Sequence, residues 1–299
     1  MRYRILVPLI QAALTSIAFG SFVLAQGPAP GPFMTHQIRP NVYWVEGGGG
    51  NSGVIVGDKG VIVVDAKTTA AGGKELLDNI AKITPKPVTT VILTHSDADH
   101  VNGLTSFPAG VTVIAQANNK KEQDEALAKG GRGAPPAEHL PNKIVSKNKE
   151  TMTIEGVKFE LLHWAPAHTS GDLVVYLPAE SVVFTGDLIA TIIPDPLIHL
   201  EKNGTSEGWI QSVKGMVGLN AKTYIPGHGN EQTKDDIEKR LKSAEEKRAK
   251  IKAMVAQGKS LDEIKQALGE ANPPPAAPGT PRFPTFTETT YKELTAKKS

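Results

Sequence analysis

Two periodicities alternate along this chain. Short β-branched runs, Val42 to Val45, Val54 to Val56 and Val61 to Asp65, are separated by glycine-rich and Asp-Lys-Gly turns and predict three meandering strands. Leu76, Leu77, Ile80 and Ile83 then recur at helical spacing until Pro85 ends the run. Val88 to Thr94 and Val111 to Ala115 predict two further strands, and Asn118 to Lys129 a charged helix. Gly130 to Pro141 reads as a surface connector. The second half repeats the order: a hairpin around Glu155-Gly156, strands over Leu173 to Leu177 and Ser181 to Thr185, a helix over Thr205 to Leu219 with Ile210, Val213 and Val217 on one face, and a last strand at Thr223 to Ile225. Strands followed by a helix, twice, predict an α/β (α+β) arrangement of two similar halves packed sheet on sheet, with helices outside.

Beyond position 233 the pattern changes. A long charged helix is expected from Lys234 to about Gln257 and is ended by Gly258. Ser260-Leu261-Asp262-Glu263 is a capping box that opens a second helix, Pro273 to Pro284 reads as an extended linker, and a short helix is predicted over Thr287 to Leu294. Residues 234–299 are therefore read as a C-terminal helical extension with a proline-rich linker, an appendage rather than a site, and residues 26–233 as the main domain. At the other end, Arg2 and Arg4 precede the apolar stretch Ile5 to Leu24, and Val23-Leu24-Ala25 has the small-residue spacing of a cleavage site. Residues 1–25 are read as a signal peptide. This implies a periplasmic or secreted protein with no stable membrane anchoring after cleavage; Pro8, Gln11 and Gly20 dilute the stretch as a membrane span.

Charge narrows the partners. Thirty-three basic and 31 acidic residues, spread through 299 positions for a net +2, leave no polyanion-binding stripe, so nucleic acid is not expected and a small-molecule substrate is. The chain has no cysteine, which excludes disulfides and thiolate metal ligands alike.

The candidate chemistry sits where predicted strands end. His95-Ser96-Asp97-Ala98-Asp99-His100 gathers two imidazoles and two carboxylates on one turn, a packing that favours a cation among them. His168, Asp187 and His228 occupy three later loops in the same relation to a strand, with glycines beside Asp187 and on both sides of His228. Other histidines are assigned lesser parts: His163 as a packed residue or hydrogen-bonding support, His36 and His139 as surface residues, and His199 as a substrate-facing candidate in the apolar loop Leu188 to Leu200. Asn51 is a further candidate from the glycine-rich turn, and Lys202 the nearest cation for an anionic group.

In order and context these residues resemble the metallo-β-lactamase superfamily, whose pattern is His-x-His-x-Asp-His followed by His, Asp and His in later loops. The departure is Asp97, which stands where that pattern has its second His. The resemblance covers roughly Val42 to Gly229, including the Gly47 to Gly53 turn. It implies a four-layer αββα sandwich with a dinuclear site at one rim: one ion on His95, Asp97 and His168, the other on Asp99, His100 and His228, Asp187 bridging, and zinc the commonest metal. Asp97 adds a hard oxygen ligand, which makes manganese or iron more competitive, or it replaces an imidazole with no functional shift.

The implied activity is hydrolysis of an ester, lactone, thioester, amide or phosphodiester by a metal-bridging hydroxide, with Asp99 orienting the nucleophile and shuttling a proton. Absence of cysteine excludes the β-lactamase subclasses that use a thiolate, while β-lactam hydrolysis by another route stays open. Two alternatives accompany this reading. Flavodiiron oxidoreductases of the superfamily also carry a carboxylate at the position of Asp97, and a non-catalytic metal-binding module would keep the same ligands without turnover.

Overall fold

The alternation of apolar side chains builds a four-layer structure. The computed structural model describes residues 32–130, 135–270 and 283–296; the segment read as a signal peptide and nearly all of the proline-rich linker lie outside the described residues. Among the described residues, one sheet contains seven strands in sequential order: β1 (Met34–Arg39), β2 (Val42–Glu46), β3 (Ser52–Val56), β4 (Val61–Val64), β5 (Val88–Ile92), β6 (Thr112–Gln116) and β7 (Lys143–Val145). The other runs β12 (Thr223–Ile225), β11 (Val182–Phe184), β10 (Val174–Leu177), β9 (Val157–Leu162) and β8 (Lys149–Ile154).

Successive residues of one strand serve different layers, because side chains alternate across a sheet. In β4, Ile62 and Val64 join Phe159, Leu161, Val175 and Phe184 between the sheets, while Val61 and Val63 pack outward under α1 (Ala70–Ile83) with Leu76 and Ile80. In β10, Val175 and Leu177 face inward, whereas Val174 and Tyr176 pack with Trp209 and Val213 of α4 (Ser206–Val217). Strands covered on both faces read as unbroken apolar runs, which is why β4 and β10 are legible in the sequence. The edge strands β1 and β7 are not. Most of their residues are exposed or only half-buried, so no apolar alternation marks them.

The C-terminal helices join the outer layer of the second sheet. Ile237, Leu241 and Ala244 of α5 (Lys234–Ala256) and Phe286 of α7 (Phe286–Thr295) belong to the same buried cluster as Trp209 and Tyr224. Arg240 donates to the carbonyls of Ala190 and Ile193 at 2.7 Å each, and Lys247 pairs with Asp195 at 2.5 Å, so α5 ties down the apolar loop after β11. No helix among the described residues is long and apolar enough to cross a membrane.

One buried cation supports the glycine-rich turn. Lys67 is fully buried, and its Nζ donates to the carbonyls of Val45 (2.6 Å) and Gly50 (2.8 Å). Burial pushes its pKa down to about 7, against the pull of Asp65 and Glu46. Between pH 7 and the ordinary value of 10.5 the unfolded chain therefore holds a proton that the folded chain lacks, and stability from this group rises with pH across that window. Lys67→Met is expected to cost about 2 to 4 kcal/mol by stranding two buried carbonyls. Denaturant titrations at pH 6, 8 and 10 should show wild type gaining stability relative to the variant as pH rises; parallel curves would show that Lys67 stays charged.

Candidate metal centre

The predicted site residues converge at one rim, each carried by the carboxyl end of a strand. His95 follows β5, and Asp97, Asp99 and His100 belong to the short helix α2 (Ala98–Val101) and its N-cap. His168 lies in the loop after β9, Asp187 in the single turn Gly186–Leu188 after β11, and His228 just after β12. His95, His100 and His168 are fully buried, Asp187 nearly so, and Asp99 is a third exposed.

All seven donor groups lie within ion-binding reach of neighbours in the cluster. His168 Nε2 is 3.2 Å from Asp97 Oδ2 and 4.0 Å from Asp187 Oδ2; His95 Nε2 is 3.7 Å from Asp97 Oδ2. On the other side, His228 Nε2 is 3.0 Å from Asp99 Oδ2 and 3.4 Å from Asp187 Oδ2, and His100 Nε2 is 3.3 Å from Asp187 Oδ1. Asp187 thus faces both halves of the cluster.

The far nitrogen of each fully buried ring is already committed. His100 Nδ1 is 2.8 Å from Asp65 Oδ2, which as a carboxylate can only accept, and His168 Nδ1 donates to the carbonyl of Leu197 at 2.9 Å. His95 Nδ1 lies 2.8 Å from Thr94 Oγ1, whose own proton goes to Asp65 Oδ2 at 2.7 Å. When a ring is neutral, as a metal ligand must be, its Nδ1 bond leaves Nε2 as the lone pair aimed into the cluster. His95 Nε2 and Asp187 Oδ1 are buried with no hydrogen-bond partner. An unpartnered imidazole nitrogen and an unpartnered carboxylate oxygen in one buried cluster are a donor set that fits divalent cations.

Electrostatics shows how strongly the groups are coupled. Burial alone would lower the pKa of His168, but the hydrogen bond and charge of Asp97, with Asp187, outweigh it and raise it to about 9. His228 is likewise lifted to about 9 by Asp187 and Asp99 against the effect of burial. His95 goes the other way: burial and the adjacent His100 hold it well below the usual range. Burial opposes ionisation of Asp97 and Asp187, yet the surrounding imidazoles keep both carboxyls well below normal. Such opposed shifts arise where buried imidazoles and carboxylates are packed against one another.

Several residues carry roles that sequence reasoning missed. Asp65, with φ of 62°, organises both His100 and the Thr94–His95 pair; the visible signal was an acidic residue closing an apolar strand. Asn51 donates to the carbonyls of Pro226 and Gly229, so it anchors the His228 loop. Lys202 is spent within the site, 2.5 Å from Asp97 Oδ1 and 2.9 Å from Ser96 Oγ, and is not a spare cation for an anionic group. His199 enters the cluster, its Nε2 3.2 Å from Asp97 Oδ2. His163 sits outside it, bonded to the carbonyl of Asp172, and His36 stacks on Trp44. His139, read as a surface residue, is buried beside the carbonyl of Phe107, because the connector folds back in a single turn, Ala137–His139.

The C-terminal segment, read as an appendage, also reaches this rim. The ring of Phe283 packs edge-on against His199 at 4.7 Å between centroids. It closes one wall of a cavity of about 300 Å³ that is also lined by Asp97, Asp99, Ala126, His199 and Lys202.

Residues 45–228 match the sequence profile of the metallo-beta-lactamase superfamily, well over half of the chain. The chain belongs to the metallo-β-lactamase superfamily. Superfamily relatives are mostly metal-dependent hydrolases. Similar sequences include the alpha subunit of 2,4-dinitroanisole O-demethylase from Nocardioides sp. (strain JS1661), 27% identical over 209 residues, covering 68% of this chain and 61% of that protein. Another is a type 2 metallo-beta-lactamase from Bacillus sp. (strain 170), 26% identical over 182 residues, covering 60% of this chain and 66% of the other. Among solved structures, the stereoselective inverting sec-alkylsulfatase Pisa1 from Pseudomonas sp. superposes with a TM-score of 0.68 at 18% identity, over 88% of this chain and 50% of that one. The chain thus spans less than two thirds of each of these relatives, and the solved structure shows a likeness of fold.

Proposed function

We propose that this superfamily member is an exported, dinuclear metal-dependent hydrolase acting on a small, uncharged electrophile. The observation that carries the reading is the convergence of His95, His100, His168 and His228 on three carboxylates, with His95 Nε2 and Asp187 Oδ1 buried and unpartnered. In this reading His95, Asp97 and His168 hold one ion, Asp99, His100 and His228 the other, and Asp187 serves both. Zinc suits the imidazoles, and the added carboxylate keeps manganese and iron in competition. Divalent ions bound here would supply a water-derived nucleophile at neutral pH and polarise the electrophile.

The chain's own residues do the rest. Asp99 is the ligand most open to the cavity, so it can accept a proton there and pass it to a leaving group. Phe283 and Ala126 exclude water from one wall and offer apolar contact. With Lys202 already paired to Asp97, the described residues lining this cavity offer no further cation for a substrate carboxylate or phosphate. That favours neutral esters, lactones and aryl ethers over β-lactams and phosphodiesters. Export rests on the pattern of residues 1–25.

A chromogenic panel of esters, lactones, aryl methyl ethers, sec-alkyl sulfates, phosphodiesters and β-lactams, run with zinc, manganese or iron, tests the reading. Two metals per chain by elemental analysis and turnover of a neutral substrate are expected. One metal per chain would end the bridged arrangement. Silence across the panel, with a Mössbauer signal from bound iron, would move the protein to the redox alternative.

A further inference from the structure

Asp97 leaves the site one imidazole short of the superfamily's usual set, and the fold brings another to the same place. His199 lies 31 residues after His168 in sequence, yet its backbone N–H donates to the carbonyl of His168 at 2.8 Å and the two rings meet edge to face at 4.7 Å. Its Nε2 stands 3.2 Å from Asp97 Oδ2, the same distance as His168 Nε2 from that oxygen. Two ligand atoms, each about 2.1 Å from one ion, are about 3.0 to 3.4 Å apart between octahedral and tetrahedral geometry, so both separations fit a shared cation.

The outer half of the ring follows the same rule as the buried ligands. His199 Nδ1 is hydrogen-bonded to the carboxylate of Glu201, which can only accept. When neutral, the ring presents a lone pair at Nε2, as neutral His95, His100 and His168 would, with a carboxylate behind it as His100 has Asp65. Asp97 is arranged to match. It occupies the N-cap of α2 but makes no capping bond. Its Oδ1 is taken by Lys202 instead, leaving Oδ2 alone to face His168, His199 and His95.

We propose that His199 is a ligand of the first metal ion, which is then held by three imidazoles, His95, His168 and His199, with Asp97 through one oxygen and Asp187 shared with the second ion. The inference rests on the dinuclear reading above and adds a fifth imidazole to it. The loop that carries His199 is held at Ala190, Ile193 and Asp195 by Arg240 and Lys247 of α5, so the helical extension buttresses the segment that bears this ligand.

The test is proton NMR of the cobalt(II)-loaded full chain, counting exchangeable ring N–H signals displaced by the paramagnetic ion, one for each imidazole bound through Nε2. Five are expected in wild type and four in His199→Ala, which should also bind one of its two cobalt ions about 10- to 100-fold more weakly. Four signals in wild type would overturn the assignment of His199 while leaving the dinuclear site intact, and the wild-type count stands even where the variant fails to fold. Failure of the protein to take up cobalt would overturn the proposed function instead.

Discussion

Replacing Asp187 by alanine is expected to abolish turnover and to release metal. In the proposed arrangement this carboxylate serves both ions: Oδ1 lies 3.3 Å from His100 Nε2, and Oδ2 lies 3.4 Å from His228 and 4.0 Å from His168. Removing it leaves the imidazoles facing one another, with His100 Nε2 and His228 Nε2 only 3.4 Å apart. Metal assistance supplies several kcal/mol of transition-state stabilisation, and each 1.36 kcal/mol is tenfold, so kcat/KM should fall by roughly 10³-fold or more. Elemental analysis should show fewer than two ions per chain. Full activity with two ions retained would mean that Asp187 does not bridge.

The second large effect is expected at a residue that binds nothing. A Cβ added to Gly227 would sit 1.8 Å from Asp187 Oδ1 and 2.9 Å from the Asp187 backbone nitrogen. Backbone relaxation is limited, because the Gly227 N–H is shared between the carbonyls of Gly186 (2.9 Å) and Ile189 (3.0 Å), and its own carbonyl accepts from Asn51 N at 2.7 Å. Gly227→Ala must therefore displace the Asp187 carboxylate while leaving every donor atom in the sequence. A shift of about 1 Å in a catalytic group costs on the order of 10²-fold, and overpacking a tight site about 1 to 3 kcal/mol of stability. Weaker metal binding, measured by competition with a chelator, and a lowered Tm are expected together. A variant with unchanged metal affinity would show that the loop moves freely and that the close approach has no function.

Most of the site was legible because its donors lie on loops after strands whose last residues are buried. Buried strands are written as apolar runs, so their ends can be located, and His95, Asp97, Asp99, His100, His168, Asp187 and His228 stand at those ends. The order of layers followed from the same runs. What stayed hidden had no local signal that named its partner. The strands β1 and β7 lie at a sheet edge with little burial, and Asp65 meets His100 across 35 residues. Phe283 reaches His199 from a segment that reads as a tail.

Lys202 and Asp97 show the division most plainly. The sequence alone establishes that position 97 carries a carboxylate in a motif that usually has an imidazole there, and hence that the site has an extra negative charge. Only the tertiary structure decides what that charge meets: a lysine on one oxygen, and on the other two histidines from loops 71 and 102 residues away. Residue types and strand ends are local properties of a chain, whereas the partners of a buried charge are chosen by which loops the packed sheets bring to one rim.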